Sequence, residues 1–169
     1  IFLESNLFFS GQRPAVNVGL SVSRVGGDAQ TGAMKKAAGA LRLDLAQYRE
    51  IEVFTQFSSD LDELTKRQLV YGQSLMRLLR QPQYHPYAQH RQVILLVAAL
   101  NRVMQTVPLA QMDDFRTRLL SYAETQAQAL CRRLDESGQL SDEDRDTILR
   151  LSQDFLTQYQ TGTAEKSGE

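Results

Sequence analysis

Arg24 has the most suggestive chemical setting in this sequence. It lies in the stretch GLSVSRVGG, between an apparent strand and a pair of glycines, and no acidic residue lies within three positions of it. A guanidinium presents a planar fork of donors that suits phosphoryl or carboxylate oxygens, and small neighbours let it approach such groups closely. The same pattern is also that of an ordinary surface arginine, so both interpretations stay open at this point.

Other reactive side chains give no catalytic or metal-binding pattern. His85 and His90 lie five residues apart and have no cysteine or carboxylate at ligand spacing, so no metal site is predicted. Cys131 is the single cysteine and is interpreted as an apolar helix residue. The sequence contains no Walker A, GxSxG or GxGxxG motif.

Composition limits the classes of partner. The protein has 169 residues, 42% of them hydrophobic, which is enough to bury a core. Its formal net charge of −1 argues against nucleic-acid binding. The longest apolar run, VILLVAAL at 93–100, is far shorter than the roughly 20 residues that cross a bilayer, so direct membrane insertion is not expected.

The first 30 residues are predicted to form strands and loops. They are rich in Gly, Pro, Ser and Val, and Val16, Val18 and Leu20 alternate in the manner of a strand before the turn-forming GGD. The sequence opens directly on IFLESNLFF, which indicates a fragment of a longer protein. Residues 1–30 are therefore interpreted as a short β-rich remnant of a preceding domain.

From residue 31 to 160 the apolar residues recur with helical periodicity. One long helix is predicted over 31–57, followed by a helix capped by Ser59 or Asp60 that Gly72 divides from a shorter one ending near Leu79. After the loop QPQYHP, a helix that contains VILLVAAL should be central, because it is apolar on every side.

The remaining residues predict two more helices and a tail. The TVP at 106–108 precedes a helix that should end at Gly138, and Ser141 followed by three acidic residues should cap the last helix. Residues 161–169 are expected to be a disordered tail. The predicted fold is mainly α, a bundle of about five to seven helices over 31–160 preceded by the β-rich remnant.

Several blocks of this sequence closely resemble the alpha subunit of F-type ATP synthases. In order, these blocks are RPAVNVGLSVSRVGGDAQ, AMKKAAG, LAQYRE, QFSSDLD and LLRQPQYHPYAQHRQV. The resemblance covers essentially the whole sequence and is strongest over residues 11–100. It implies the end of an α/β nucleotide-binding domain followed by the C-terminal helical domain.

The resemblance assigns a role to Arg24. In that family the arginine of SVSRVG is an arginine finger, which the alpha subunit presents to the nucleotide phosphates in the catalytic site of the neighbouring beta subunit. Arg24 falls on this position, and Val22, two residues earlier on the predicted strand, is expected to border the same catalytic site.

A second set of residues is implied for the alpha subunit's own, non-catalytic nucleotide site. There the family places an aromatic ring, an Arg-Pro pair and two glutamines around the adenine of ATP or ADP. By position these are Phe8, Arg13, Pro14, Gln81 and Gln83. A glutamine offers both a donor and an acceptor to an adenine edge, and the ring and proline supply apolar faces.

Three departures from the family pattern indicate a divergent branch. Pro82 replaces the usual glycine between the two glutamines, which stiffens the loop and removes a donor. Gly32 replaces a usual arginine, and HPYAQHRQV lacks the usual acid before QV. These changes point to the alternative, sodium-translocating type of F-ATPase.

The resemblance also implies an assembly and a location. The partners would be beta subunits in an alpha3beta3 ring, the gamma central stalk and the delta subunit or peripheral stalk, at the cytoplasmic face of the bacterial inner membrane. ATP or ADP with Mg²⁺ belongs to the full-length complex; none is expected on the fragment, which lacks a P-loop and should be inactive alone. The alternative hypothesis is a free-standing helical adaptor that binds a partner protein and no nucleotide.

Overall fold

The structure, a computed structural model, describes residues 1–55 and 61–166. Its helices are α1 (Ser5–Phe9), α2 (Gly26–Ala29), α3 (Gly32–Ala38), α4 (Leu41–Thr55), α5 (Glu63–Leu78), α6 (Gln89–Leu100), α7 (Met112–Gln126), α8 (Gln128–Ser137) and α9 (Asp142–Lys166). Two short 3-10 turns, Val103–Thr106 and Leu109–Gln111, join α6 to α7. The predicted mainly α bundle is confirmed, with α3 to α9 as its seven main helices within the described residues.

Helix α6 lies at the centre of the bundle. It packs against α3, α5, α7, α8 and α9, and every residue from Val93 to Ala99 is buried. A helix that is apolar on all sides can bury all of them only if neighbours surround it, so the predicted central position is confirmed. No helix in the described ranges has both the length and the apolar character needed to cross a membrane.

Capping residues fix the ends of several helices. Gly138 adopts the left-handed conformation (φ 63°) after α8 and donates to the Leu134 carbonyl, and Ser141 Oγ accepts from the Asp144 amide at 3.0 Å at the start of α9, both as predicted. The cap of α5 is Asp62, whose Oδ1 accepts from the Thr65 amide at 2.7 Å. The predicted caps Ser59 and Asp60, and the predicted helix end at residue 57, lie outside the described residues.

Three predicted helix boundaries are wrong. The single helix expected from residue 31 is two helices, because α3 ends at Ala38 and α4 begins at Leu41, after the weak helix former Gly39. Gly72 does not divide α5; it lies buried inside the helix. The expected helix up to Gly138 is divided at Ala127, whose dihedrals (φ −136°, ψ 47°) are not helical.

The expected disordered tail is also partly wrong. Helix α9 continues past residue 160 as far as Lys166. Residues 167–169 of that predicted tail lie outside the described part of the protein.

The β-rich remnant is not observed. Between residues 1 and 30 the structure contains only an isolated antiparallel bridge between Leu3 and Val16, besides α1 and α2. Buried Asn17 explains why Val16, Val18 and Leu20 do not form a strand. Its carbonyl accepts from the Ser21 amide at 3.0 Å and its Oδ1 from the Leu20 amide at 3.0 Å, so the backbone turns there.

Asn17 also ties this lead-in, residues 1–30, to the bundle. Its Oδ1 accepts a second hydrogen bond, from Arg49 of α4, at 2.6 Å, and its Nδ2 donates to Glu4 at 2.6 Å. Arg42, also in α4, donates to the carbonyl oxygen of Gly19 at 3.2 Å. These bonds hold the turn at 17–21 against α4.

An ionic junction connects α6, α7 and α8. His90 of α6 lies between two carboxylates, with Nδ1 2.7 Å from Asp135 Oδ2 and Nε2 3.0 Å from Glu124 Oε1. Arg91 binds both oxygens of Glu124, at 2.5 and 3.0 Å. Partial burial by itself would raise the pKa of Glu124, but the hydrogen bonds from Arg91 and His90 outweigh it and lower that pKa.

No cluster of three or more His, Cys, Asp or Glu side chains arranged to hold a metal ion occurs among residues 1–55 and 61–166. Cys131 is buried on α8, and burial raises the pKa of its thiol.

Candidate functional site

The five residues predicted to surround adenine lie around one cleft of about 630 Å³. Two distant segments form its walls, residues 8–14 before the bundle and residues 80–83 after α5. The cleft is lined by Phe8, Gly11, Arg13, Pro14, Arg80, Gln81, Pro82, Gln83, Asp113 and Arg116. Its volume is in the range of small-molecule sites.

Helix α1 and the turn after it build the first wall. Phe8 is 46% exposed, and the Arg13 guanidinium lies 4.3 Å from the centre of its ring, a cation–π contact. Gly11 has φ +83°, a conformation that other residues rarely adopt, and it lets the backbone turn back so that Arg13 reaches Phe8. This wall presents an aromatic ring, a guanidinium and a proline to the cleft.

The loop after α5 builds the second wall. The Gln81 amide donates to the Arg13 carbonyl at 2.9 Å, which joins the two walls directly. The Gln81 side-chain Nε2 donates to the His85 carbonyl at 2.8 Å, and its Oε1 accepts no hydrogen bond from the residues that the structure describes. Gln83 is exposed.

Pro82 is compatible with this loop. The carbonyl of Pro82 accepts from the His85 amide at 3.3 Å and closes a turn, in which Tyr84 adopts φ 63°. The turn therefore uses the acceptor that proline retains and not the donor that it lacks.

The cleft has an excess of positive charge. Arg13, Arg80 and Arg116 line it together with one carboxylate, Asp113. Asp113 also pairs with Arg77 of α5, so it is shared between two arginines. An electron-rich or anionic ligand suits such a lining better than a cationic one.

Neither Arg80 nor Arg116 carries a sequence signal that assigns it to this cleft. Arg80 directly precedes Gln81, so its position in the loop could have drawn attention to it. Arg116 follows Asp113 by three residues, a spacing that predicts only an ordinary pair on a helix surface. The structure instead buries Arg116 at 7% exposure.

Arg24 and Val22 lie at the surface and do not line the cleft. Val22 is 74% exposed, and Arg24 is exposed in the bend before α2. Asp28, the nearest acidic residue in sequence, pairs with Lys35 at 3.3 Å. Within residues 1–55 and 61–166, Arg24 makes no hydrogen bond or ion pair.

Comparison with known proteins gives one consistent family. The family described as ATP synthase alpha/beta chain, C terminal domain, matches residues 30–155. Three similar curated proteins carry the name ATP synthase subunit alpha. They are from Petrotoga mobilis (46% identical over 94% of the present sequence), Clostridium kluyveri (46% over 92%) and Streptomyces lividans (45% over 99%).

The matched region is a part of each relative. It covers 32% of the Petrotoga mobilis protein, 31% of the Clostridium kluyveri protein and 32% of the Streptomyces lividans protein. The present sequence therefore spans about a third of the length of these relatives.

Proposed function

This protein belongs to the ATP synthase alpha/beta C-terminal domain family, and from that premise we propose that it functions as the C-terminal portion of a non-catalytic, regulatory alpha subunit of an F-type ATP synthase. In that role it helps to couple ATP synthesis or hydrolysis to ion translocation. The family match favours this function over a free-standing adaptor, because it covers the bundle from residue 30 to 155.

The cleft between residues 8–14 and 80–83 is proposed to hold the adenine of ATP or ADP. The observation that carries this proposal is that Phe8, Arg13, Pro14, Gln81 and Gln83, which come from two distant segments, line the same cleft. The free Oε1 of Gln81 could accept from the adenine amino group, and Gln83 offers a second amide at the rim. Phe8 and Pro14 provide apolar surface for the faces of the base.

The phosphates and Mg²⁺ would be held elsewhere in the subunit. This sequence has no P-loop, and the Gln81 and Gln83 side chains are suited to a base edge rather than to a metal ion. Phosphate contacts supply much of the affinity of nucleotide sites. The fragment is accordingly expected to be inactive by itself.

Arg24 is proposed to act in trans as an arginine finger, with Val22 at the border of the same catalytic site on a beta subunit. Its exposure and its lack of a partner among the described residues support this role, since a finger must be available to another subunit. The guanidinium would donate two parallel hydrogen bonds to phosphoryl oxygens as negative charge develops there.

The wider assembly follows from the same proposal. The protein would pack in an alpha3beta3 ring with beta subunits, around the gamma central stalk and below the delta subunit or peripheral stalk. It would be a peripheral component at the cytoplasmic face of the bacterial inner membrane. The sodium-translocating branch stays a prediction from the departures at Gly32 and Pro82.

The cleft assignment can be tested by substituting both glutamines. In the complete alpha subunit assembled with beta subunits, Gln81→Ala with Gln83→Ala should weaken ATP binding at the non-catalytic sites by about tenfold, because two hydrogen bonds to the base are lost. The matched control is Gln128→Ala, an exposed glutamine at the start of α8 that is not part of the cleft lining. Non-catalytic affinity that is the same in the double variant and the control would contradict the assignment.

A further inference from the structure

The peptide group between Arg80 and Gln81 is held at both of its polar ends. Its carbonyl oxygen, from Arg80, accepts a hydrogen bond from the Arg116 guanidinium at 2.8 Å. Its N–H, from Gln81, donates to the Arg13 carbonyl at 2.9 Å. A peptide plane fixed at both ends cannot rotate without breaking one of these hydrogen bonds. The direction in which the Gln81 side chain leaves the backbone is therefore restricted as well.

Arg116 is itself held firmly in place. It is 7% exposed, its Nη2 lies 3.6 Å from Asp113 Oδ1, and its guanidinium lies 5.8 Å from the centre of the Tyr87 ring. Its Nε is buried and has no hydrogen-bond partner among the described residues. A buried guanidinium with one unpartnered nitrogen is costly, which indicates that the donors it does use are worth that cost.

We propose that Arg116 is a positioning residue that sets the orientation of Gln81 and thereby the preference of the cleft for one purine edge over another. Arg116 acts through the Arg80–Gln81 peptide and makes no direct contact with the base. The preference for a purine edge rests on the proposed function, whereas the orientation of Gln81 does not.

Loss of the Arg116 donor would leave the Arg80 carbonyl without its partner. The peptide could then rotate and carry the Gln81 backbone amide away from Arg13. The side-chain amide would keep only its Nε2 bond to the His85 carbonyl in the same loop, at 2.8 Å, and that single bond does not hold it in one direction. A glutamine amide that can take several directions pairs about equally well with the amino group of adenine and the carbonyl of guanine. The ratio of the affinities for adenine and guanine nucleotides should therefore fall, with a smaller effect on the free energy of unfolding.

The first measurement needs no nucleotide. Hydrogen–deuterium exchange of the complete alpha subunit, resolved by fragmentation mass spectrometry, reports on the Gln81 amide, and Pro82 simplifies the segment because it has no amide proton. Arg116→Met, which keeps an apolar stem, should raise the exchange rate at Gln81 by about tenfold or more, and Arg116→Lys should restore most of the protection. The matched control is Arg118→Met, which removes an arginine 57% exposed on the same helix.

The second measurement compares ATP with GTP in the assembled complex. Arg116→Met should lower the ratio of their affinities at the non-catalytic sites by about tenfold relative to wild type, and Arg118→Met should leave the ratio unchanged. A purely structural role would lower both affinities together and would not change the ratio.

The outcomes separate the two proposals. Unchanged exchange at Gln81 in Arg116→Met overturns the positioning role. Faster exchange at Gln81 combined with no nucleotide binding in any protein, wild type included, supports the positioning role and refutes the proposed adenine site. If Arg116→Met does not fold, Asp113→Asn takes its place: it loosens Arg116 through the 3.6 Å contact and should still raise exchange at Gln81, and wild-type exchange in that folded variant would overturn the role.

Discussion

Arg24 is positioned by contacts of its neighbours and not by contacts of its own. The turn at 17–21 is fixed to α4 through Asn17 and Arg42, and the Phe2 amide donates to Ser21 Oγ at 3.0 Å. Arg24 follows this anchored turn by only three residues, and its guanidinium donates no hydrogen bond to any described residue. Substitution of Arg24 should therefore affect a partner's chemistry while leaving the fold intact.

For Arg24→Ala in the assembled complex, we expect ATP hydrolysis to fall by about 10³-fold or more, since arginine fingers supply rate factors of about 10³ to 10⁵. Arg24→Lys should recover little, because an ammonium cannot offer two parallel donors to adjacent oxygens. Steady-state hydrolysis and the melting temperature of the subunit are the measurements, and the melting temperature should not change.

The control for Arg24 is Arg132→Ala, which removes an exposed arginine on α8. It should keep wild-type turnover. If Arg24→Ala retained more than about a tenth of wild-type hydrolysis, the trans-acting role would be wrong, because such a loss is far below what an arginine finger contributes.

Helices α4 and α5 form a close pair because of one glycine. A Cβ atom built at Gly72 would lie 2.1 Å from Tyr48 Cδ2 and 2.5 Å from Tyr48 Cβ, far inside contact distance. Tyr48 itself is buried and donates from its hydroxyl to Glu52 at 2.6 Å. Gly72 thus lets α4 and α5 approach each other closely, and this packing offsets the low helix propensity of glycine.

Gly72→Ala should lower the free energy of unfolding by about 1–3 kcal/mol, as overpacking of a filled site does. Urea unfolding followed by circular dichroism measures this change. The matched control is Gly162→Ala on α9, where an added Cβ meets no atom within 4 Å; it should be neutral or stabilise by up to about 1 kcal/mol. Equal midpoints for the two variants would show that Tyr48 yields freely and that the close packing carries no energy.

Local signals in the sequence explain which elements could be predicted. The VILLVAAL run predicts the central helix, and Gly138 and Ser141 predict their helix ends, because each signal acts within one or two turns of helix. Gly72 is ambiguous by sequence, since only the approach of Tyr48 decides whether a glycine breaks a helix or packs it. Asn17 is likewise ambiguous by sequence: its local bonds to Ser21 and Leu20 close a turn, and distant Arg49 and Glu4 complete the bonding of its side-chain amide.

The same distinction holds for the cleft. Family resemblance names five of its residues, and the structure places all five around one space. Arg116 could not be predicted, because its partner is a backbone carbonyl 36 positions away, and a carbonyl is present at every residue. Unlike a helix cap, a contact between a side chain and a backbone carbonyl so far along the chain leaves no pattern of residue types.

The whole molecule depends in part on the ionic junction of α6, α7 and α8. His90 and Arg91 meet Glu124 from α7 and Asp135 from α8, so three helices share one set of charges. The pKa of Glu124 is lowered in the folded state from its ordinary value of 4.5. A lowered carboxyl pKa stabilises the fold above the ordinary value, and that stabilisation is lost as the pH falls through the folded-state pKa.

Glu124→Gln should therefore lower the melting temperature near neutral pH and make little difference in acid. We expect a loss of about 2–4 °C at about pH 7, the shift that about 1 kcal/mol produces in a protein of this size. The difference between wild type and variant should shrink as the pH falls below about 4.5 and be lost once the pH has passed through the lowered pKa of Glu124. Differential scanning calorimetry across this range measures it.

Glu136→Gln on α8 serves as the control, since Glu136 is exposed and takes no part in the junction. It should melt with the wild type at every pH. A Glu124→Gln deficit that stayed constant from neutral pH into acid would mean that packing, and not the charge of Glu124, holds the three helices together.

The two walls of the cleft are also separated in time during synthesis. Residues 8–14 leave the ribosome first, and Arg116, which holds the second wall in place, follows Pro14 by about 100 residues. At the usual elongation rate of roughly 5–20 residues per second, the first wall waits about 5–20 s until Arg116 is made. During that interval the Phe8 ring, which lines the cleft in the folded protein, has no fixed second wall opposite it, and a nascent polypeptide that stalls in this stretch presents that aromatic surface to chaperones.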